Sequence, residues 1–351
     1  MARSVSVVFR LPSVLCSQLI AGAVLASTLS AASPAQEPFY KGKQIRLIIS
    51  AGVTGGYVEY ARLLAAHMGR HLAGKPDFIV QSMPGAGGLL ATNYLYAQAP
   101  QDGTTLGLIH SSVPLAPLFG TQGARFDPLK LHWLGSMDRS DGPCTAWYTS
   151  PIKTWTDLLE KPFIVGSSGA GSQMDIYPAM LNRLFGTRIK VIGGYKDGGS
   201  IFHAMEREEI QGRCGPQLTA IRSIRPQWLS EGKVVIPIMI SERRSTEFPA
   251  VPSIMEFARD EPTRQQLRLL VVTQDLDRPV LAPPAVPAER VKELRAAFDA
   301  TMTDPGFRAD IDKFRLTLDW VRGEDVARTL AAAYAMPADI VAAAKETMGA
   351  K

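Results

Sequence analysis

The sequence predicts an α/β protein of two lobes, with mostly parallel sheets covered by flanking helices. A chain of 351 residues is long for one ordinary domain and suits two units of about 150 residues each. Its hydrophobic fraction of 46% and charged fraction of 20% are normal for a globular protein that buries sizeable cores. From residue 44 onwards, short apolar strands, glycine-bearing turns and amphipathic helices alternate along the chain.

The first lobe begins with this alternation and is completed by the end of the chain. Strands are predicted at 44–50, 78–81 and 105–110, glycine turns at 52–56 and 84–88, and helices at 58–71 and 89–99. The C-terminal segment is too small and too helical to stand alone, so we expect it to pack back onto this lobe. The predicted first lobe is 40–140 plus 250–351.

The second lobe is predicted over residues 141–249, after a stretch rich in proline and glycine. Thr154 and Asp157 have the spacing of a helix N-cap with a capping box. The predicted strands here are 144–148, 163–166, 190–192, 211–214 and 234–240, and a further strand is predicted at 267–273.

The N-terminus predicts a cleavable signal peptide, residues 1–35. Arg3 and Arg10 precede an apolar stretch at 11–29, and Ser33-Pro34-Ala35 places small residues where a signal peptidase cuts. An uncleaved membrane anchor is the alternative, because about 20 apolar residues span a bilayer. The predicted location of the mature chain is the periplasm.

Two cysteines, Cys144 and Cys214, remain once the predicted signal peptide with its Cys16 is removed. In an oxidising compartment an even pair predicts a disulfide, and two buried free thiols are the alternative. The formal charge of +5 falls to +3 without the signal peptide. A charge this small gives no indication of nucleic-acid binding and slightly favours an anionic ligand.

The glycine turns are the predicted ligand site. Each lies between a strand and a helix, where unpaired backbone N–H groups and the helix dipole favour a carboxylate or phosphate. Ordinary tight turns and caps are the alternative explanation. The predicted ligand-binding residues are Thr54, Gly55, Gly56, Tyr57, Gly87, Gly88, Ser111, Ser112, Ser167, Ser168, Gly171, Ser172, Gln173 and Tyr195.

Motifs for catalysis or cofactor binding are missing from the sequence. It contains no phosphate-binding G-x-x-x-x-G-K-[ST] loop, and the turn at 52–56 does not match the dinucleotide motif G-x-G-x-x-G. His67 and His71 lack the glutamate of a zinc-protease helix, and the turn at 166–171 contains no nucleophile elbow. No cofactor, no metal and no catalytic residue are therefore predicted.

An ordered set of short motifs resembles the tripartite tricarboxylate transporter receptors, also called the Bug family of periplasmic binding proteins. The set covers nearly the whole predicted mature chain. It comprises Phe39-Tyr40-Lys41-Gly42-Lys43, Gly55-Gly56, Tyr60-Ala61-Arg62-Leu63-Leu64, Pro84-Gly85-Ala86-Gly87-Gly88, Asp102-Gly103-Thr104, Gly166-Ser167-Ser168-Gly169, Ala204-Met205-Glu206 and Phe248-Pro249-Ala250-Val251-Pro252-Ser253.

This resemblance implies a two-lobe, Venus-flytrap fold and a small carboxylate ligand. It also implies that the turns at 53–57 and 84–88 hold one carboxyl group through backbone N–H groups and waters, and that 167–172 contributes from the second lobe. The chain departs from the family pattern at Thr54, at Glu59, where many members have Asp, and at the bulky Tyr57.

The predicted function is a monomeric receptor that delivers its ligand to membrane transporter subunits. Two alternatives remain open at this point. One is a periplasmic enzyme that acts on a carboxylate with Asp175, Glu59 or Lys196 as acid–base groups. The other is a binding protein that reports to a signalling partner. The identity of the ligand does not follow from the sequence.

Overall fold

A computed structural model describes residues 37–53, 56–167, 172–195, 198–215 and 218–347. The predicted signal peptide lies outside these residues. The strands form two sheets. In the first sheet they are β1 (Gln44–Ile49), β2 (Asp77–Ser82), β3 (Thr105–Leu108), β4 (His132–Ser136), β10 (Pro279–Ala282) and β11 (Val321–Arg322). In the second sheet they are β5 (Gly142–Trp147), β6 (Phe163–Gly166), β7 (Ile189–Ile192), β8 (Gly212–Cys214) and β9 (Val234–Ile240).

Each sheet has one dominant strand direction with a minority of antiparallel strands. The order in the first sheet is β11-β4-β10-β3-β1-β2, and β10 and β11 run opposite to the other four strands. The order in the second sheet is β7-β6-β8-β5-β9, and β5 alone is reversed. The predicted α/β class with two lobes is confirmed.

Helices surround both sheets. They are α1 (Gly56–Met68), α2 (Leu89–Ala97), α3 (Trp155–Glu160), α4 (Gln173–Phe185), α5 (Gly198–Glu206), α6 (Leu218–Ile224), α7 (Gln227–Ser230), α8 (Glu261–Val271), α9 (Ala288–Thr303), α10 (Pro305–Lys313), α11 (Gly323–Tyr334) and α12 (Ala338–Thr347). Among the residues that the structure describes, no helix combines the length and the apolar character needed to cross a membrane.

Strand β1 is buried on both faces. Ile45, Leu47 and Ile49 join one core cluster, whereas Ile48, which points to the other face, joins a second cluster. Such a continuous apolar run is typical of a strand covered by helices on both sides of its sheet. The carboxyl end of β1 is thereby fixed in the middle of the sheet, between β2 and β3.

The predicted strand at 267–273 is wrong, because this segment is the end of α8 and a 3-10 turn. Asp260 caps α8 by accepting a hydrogen bond from the Thr263 N–H at 2.7 Å. Leu267, Leu270 and Val271 then have the i, i+3, i+4 spacing of a buried helical face. A short apolar run cannot be assigned by its hydrophobicity alone, and the cap decides here. The neighbouring strand β10 was not predicted.

Two segments of chain cross between the sheets side by side. Residues 137–141 connect β4 to β5, and residues 273–278 lead from the second lobe into β10; we call the latter the return segment. Backbone hydrogen bonds pair them, from Ser140 N to Gln274 O at 3.0 Å and from Asp277 N to Asp138 O at 3.1 Å. A motion of one lobe against the other would have to bend both segments together.

The C-terminal segment divides between the lobes. β10 and β11 belong to the first sheet, while α12 contacts α4 of the second lobe. An exposed ion pair between Arg183 and Glu346, 2.5 Å apart, spans this second contact.

The structure joins Cys144 and Cys214 in a disulfide bond. The two residues face each other on the antiparallel neighbours β5 and β8, and both side chains are completely buried. The bond therefore ties two strands that are 70 residues apart in the sequence.

Candidate functional site

The ends of β1, β2 and β3 converge on the buried Ser50. Its N–H donates to Leu108 O at 3.1 Å, and its hydroxyl accepts a hydrogen bond from His110 N at 2.9 Å. On the other side of β1, Met83 N donates to Ile49 O at 2.8 Å. The three segments that follow these strands, each with predicted site residues, therefore meet at one edge of the sheet.

Gly88 lies at the centre of this convergence and has no room for a side chain. Its φ is +102°, and an added Cβ would lie 2.8 Å from Val113 Cγ2 and 3.1 Å from His110 Nδ1. Gly87 also has a positive φ, +64°, but no atom of the described residues, apart from its chain neighbours, lies within 4 Å of its Cβ position. Burial lowers the pKa of His110, and its ring is hydrogen-bonded to the Gly87 backbone.

Tyr57, the second residue of α1, links the first turn to two other segments. Its hydroxyl accepts a hydrogen bond from Ser111 N and donates to the backbone oxygen of Asp277, both at 3.3 Å. Its ring meets the His110 ring edge to face at a centroid distance of 4.7 Å. Burial raises the pKa of Tyr57, so the hydroxyl stays protonated as a donor.

A buried charge cluster lies behind Tyr57. The Arg278 guanidinium lies 4.3 Å from the centre of the Tyr57 ring and 4.9 Å from that of Tyr60. Its Nη1 is 2.6 Å from Asp277 Oδ1, and both side chains are 4% exposed. Burial raises the pKa of Asp277 to about 7, although Arg278 acts in the opposite direction.

Asp138, on the segment that pairs with the return segment, belongs to the same cluster. Its carboxylate accepts hydrogen bonds from the Tyr60 hydroxyl at 3.2 Å, from Asp319 N at 3.1 Å and from the Thr317 hydroxyl. Burial raises the pKa of this carboxyl group as well. The cluster thus combines one guanidinium with two carboxyl groups that both resist ionisation.

In the second lobe, the described part of the predicted site follows β6. The Ser167 and Ser172 hydroxyls are 3.2 Å apart, and Tyr195 N donates to Ser167 O at 3.2 Å. Gln173 starts α4, and its Nε2 donates to Thr273 Oγ1 at 3.2 Å and to the Tyr177 hydroxyl at 3.3 Å. These serine, glutamine and tyrosine residues lie together, as their neighbouring turns require.

The predicted residues form two groups: the Tyr57 group of the first lobe, which includes Gly88 and Ser111, and the Gln173 group of the second lobe, which includes Ser167 and Ser172. The return segment contacts both of them. Gln274 Nε2 donates to the Tyr177 hydroxyl at 3.0 Å, next to Gln173, and Asp277 O accepts from Tyr57. Tyr57 and Gln173 are the second and first residues of the helices that follow a glycine turn in each lobe. The residues that anchor the two groups, Gln274 and Asp277, are therefore only three positions apart in the chain.

Ser111 and Ser112 contribute to the first-lobe group through their backbone. Ser111 is buried and its N–H faces Tyr57, while Ser112 precedes the short 3-10 turn at 113–115. Four predicted residues lie outside the described residues, namely Thr54, Gly55, Ser168 and Gly171.

Three residues that were not predicted from the sequence contact Tyr57 in this candidate site: His110, Asp277 and Arg278. His110 directly precedes the predicted serines, so its place at the end of β3 was a usable signal. The Asp277–Arg278 pair carried no such signal, because it precedes a strand that was not predicted.

In the second lobe, Arg213 is 3% exposed, and its Nη1 lies 3.3 Å from the Cβ position of Gly198, where α5 begins.

Glu59 and Asp175, considered as acid–base groups, lie on the first turns of helices. Glu59 is paired with Arg62 at 3.1 Å, and Asp175 directs its backbone N–H to Ser172 O at 2.9 Å. Lys196 lies outside the described residues.

Two cavities are lined by residues other than the predicted ligand-binding residues. One, of about 220 Å³, is lined by residues of α8, the return segment and α11, including Gln274 and Met336. The other, of about 530 Å³, lies between α1 and β2, beside Arg62 and Lys75. Neither is lined by a predicted site residue.

Comparisons with known proteins agree with this architecture. A Cupriavidus necator protein described as "UPF0065 protein in gbd 5'region" is 26% identical over 307 residues, which cover 85% of this chain and 87% of that protein. A solute-binding protein of the TctC type from Polaromonas has a similar structure, with a TM-score of 0.66, 19% identity, and coverage of 87% of this chain and 98% of that one. MatC from Rhodopseudomonas palustris, solved with bound malate, has a TM-score of 0.59 at 18% identity, with coverage of 87% of this chain and 99% of that one.

Another R. palustris protein, solved with adipate, has a TM-score of 0.62 at 18% identity, with coverage of 87% of this chain and 97% of that one. At these identities the likeness shows the fold, that of two-lobe periplasmic binding proteins. The model of the family described as "Tripartite tricarboxylate transporter family receptor" matches residues 60–342. Because this match covers most of the chain, the protein belongs to the tripartite tricarboxylate transporter receptor family.

Proposed function

We propose that this chain is a periplasmic receptor that captures a small carboxylate between its lobes and delivers it to a membrane transporter. The observation that carries the proposal is that Tyr57, at the start of α1, is hydrogen-bonded to the segment after β3 and to the return segment, with Arg278 over its ring. The N-terminus of a helix and a guanidinium both favour an anion.

Carboxylates are favoured over phosphates by the site and by related proteins. The described first-lobe cluster offers one guanidinium, whose single positive charge balances one carboxylate but not a doubly charged phosphate. Two structural relatives were solved with malate and with adipate, both dicarboxylates. A dicarboxylate has a second charged end for the serine and glutamine residues at 167–173.

Closure of the lobes would follow from contacts to both of them. A ligand that touches the Tyr57 group and the Gln173 group favours the conformation in which the two groups are close, by its differential affinity for that state. The return segment is hydrogen-bonded to both groups, at Gln274 and Asp277. We propose it as the hinge.

A panel of mono-, di- and tricarboxylic acids, including malate and adipate, tests this function by thermal shift. A ligand that binds only the folded state adds about 2.7 kcal/mol to the free energy of unfolding at a concentration 100 times its Kd, and the melting temperature rises as a consequence. Acids should stabilise the protein and their amides should not. If the amides act as well as the acids, the carboxylate function is wrong.

The transport role and the enzyme alternative give different results with the same bound acid. A receptor returns the acid unchanged after prolonged incubation, whereas an enzyme converts it. Loss of uptake of the bound acid in a strain that lacks this protein would support delivery to a transporter; unchanged uptake would favour a signalling partner.

A further inference from the structure

The guanidinium of Arg278 is buried and only partly used. Its Nη1 contacts Asp277 twice, at the backbone oxygen and at Oδ1, in both cases at 2.6 Å. Its Nε is buried and has no hydrogen-bond partner among the residues that the structure describes. A buried donor without a partner is costly, so such a group calls for an explanation.

The unused side of Arg278 faces the start of α1. Nη2 lies 3.3 Å from the position that a Cβ on Gly56 would take. Among the described residues beyond its chain neighbours and its own helix backbone, no other atom lies within 4 Å of that position. The φ of Gly56 is not in the left-handed region, so the advantage of glycine here is space beside Nη2 and not backbone conformation. Gly56 itself is exposed, so the part of α1 that lies next to Nη2 borders solvent.

Nε–H and one N–H of Nη2 are parallel donors on the same edge of a guanidinium. This edge matches the two oxygens of a carboxylate, and such bidentate pairs are among the strongest hydrogen-bonded contacts in proteins. Asp277 holds Nη1 and so fixes the orientation of the edge. The α1 helix has 13 residues, and its first N–H groups add partial positive charge at the same place.

We infer that the Nε–Nη2 edge of Arg278 binds one carboxylate of the ligand, which reaches it over Gly56. This inference rests on the proposed function and makes it more specific. Arg278 is the charged anchor of the first lobe, Asp277 orients it, and Gly56 keeps the access open. Backbone N–H groups alone, as expected from the sequence, would not require a buried arginine at this position.

The test compares three variants with the wild type, using the acids that raise the melting temperature of the wild type. The double variant Asp277→Asn/Arg278→Gln removes both charges together, so that no lone charge is left buried. Arg278→Lys keeps the charge but loses the bidentate geometry. Gly56→Ala places a methyl group beside Nη2 and keeps every charged group of the buried cluster. Arg139→Gln, beside Asp275 and Asp319, is the control for loss of a nearby positive charge.

Calorimetric titration should show binding weakened about 10- to 100-fold in the double variant and in Gly56→Ala, since hydrogen bonds to charged groups are each worth about one to two powers of ten. Arg278→Lys should be intermediate, and Arg139→Gln within about twofold of the wild type. If the double variant does not fold, Gly56→Ala decides, because alanine is a better helix residue than glycine.

The outcomes separate this inference from the function on which it rests. A wild type that binds acids, with Gly56→Ala and the double variant binding equally well, overturns the role of Arg278 and leaves the receptor function standing. A wild type that binds none of the acids contradicts the receptor function, and the assignment of Arg278 falls with it.

Discussion

The hydroxyl of Tyr57 lies 3.3 Å from the backbone oxygen of Asp277, which joins the first turn of α1 to the return segment between the lobes. The same hydroxyl accepts the N–H of Ser111 at 3.3 Å, so one side chain connects the ends of β1 and β3 to the segment that enters β10. A ligand bound next to Tyr57 would therefore act directly on the proposed hinge.

Tyr57→Phe should separate this link from simple packing. The ring and its contact with His110 stay, while two hydrogen bonds are lost, at about 0.5–1.5 kcal/mol each. Urea unfolding should show a loss of about 1–3 kcal/mol, and acid binding should weaken. Tyr148→Phe, on an exposed tyrosine, is the matched control. Equal stabilities for the two variants would mean that the hydrogen bonds of the Tyr57 hydroxyl to Asp277 and Ser111 do not stabilise the fold.

The two neighbouring glycines Gly87 and Gly88 should differ in their tolerance of alanine. Both have a positive φ, which costs an alanine about 1–2 kcal/mol. Only at Gly88 would the new Cβ also clash, with Val113 and His110. Chemical denaturation should show Gly88→Ala losing clearly more stability than Gly87→Ala. Equal losses would contradict the close approach of the second turn to the end of β3.

Stability should depend on pH through Asp277. Burial raises the pKa of its carboxyl group to about 7, against about 4 in an unfolded chain. The folded state therefore keeps a proton that the unfolded state releases between these values, so this contribution is complete below about pH 4 and is lost as the pH rises through 7. Asp138, Tyr57, Tyr60 and Arg278 face the same cluster.

The measurement compares the unfolding free energy of the wild type with that of Asp277→Asn from pH 4 to 8. The wild type should lose stability relative to the variant as the pH rises, by a few kcal/mol in total. A difference that stays constant over this range would mean that Asp277 is ionised throughout in the folded protein.

Removal of the disulfide should affect stability more than binding. Cys144 and Cys214 tie β5 to β8 in the core, and neither is a predicted binding residue. The double variant Cys144→Ala/Cys214→Ala should lose about 2–5 kcal/mol of unfolding free energy and still bind acids at saturating concentration. A thiol titration of the unfolded wild type without reductant should detect no reaction at these two positions; two free thiols would contradict the bond.

Local patterns predicted most elements of the fold. The apolar run at 44–50 predicted strand β1, which the structure has at 44–49. The spacing of Thr154 and Asp157 predicted the start of helix α3, and the structure has the capping box between these two residues. The segment 267–273 was assigned wrongly because its apolar run is short, and only the Asp260 cap indicates a helix.

The site was predictable only where its residues lie next to glycine turns. Gly56, Gly88 and Ser111 are of this kind, since strand ends in one sheet meet at one edge. Arg278 could not be found in this way, because it reaches the site through the pairing of β10 with β3, more than 170 residues away in sequence. The partner of Cys144 depended in the same way on the register of β5 and β8.

The decisive measurement is a crystal structure of the protein with an acid selected by thermal shift. One carboxylate of the acid should lie on the Nε and Nη2 atoms of Arg278, next to Gly56 and Tyr57, and the rest of the acid should face Ser167, Ser172 and Gln173 of the second lobe. An acid bound instead in the cavity between α8 and α11, with Arg278 untouched, would contradict it.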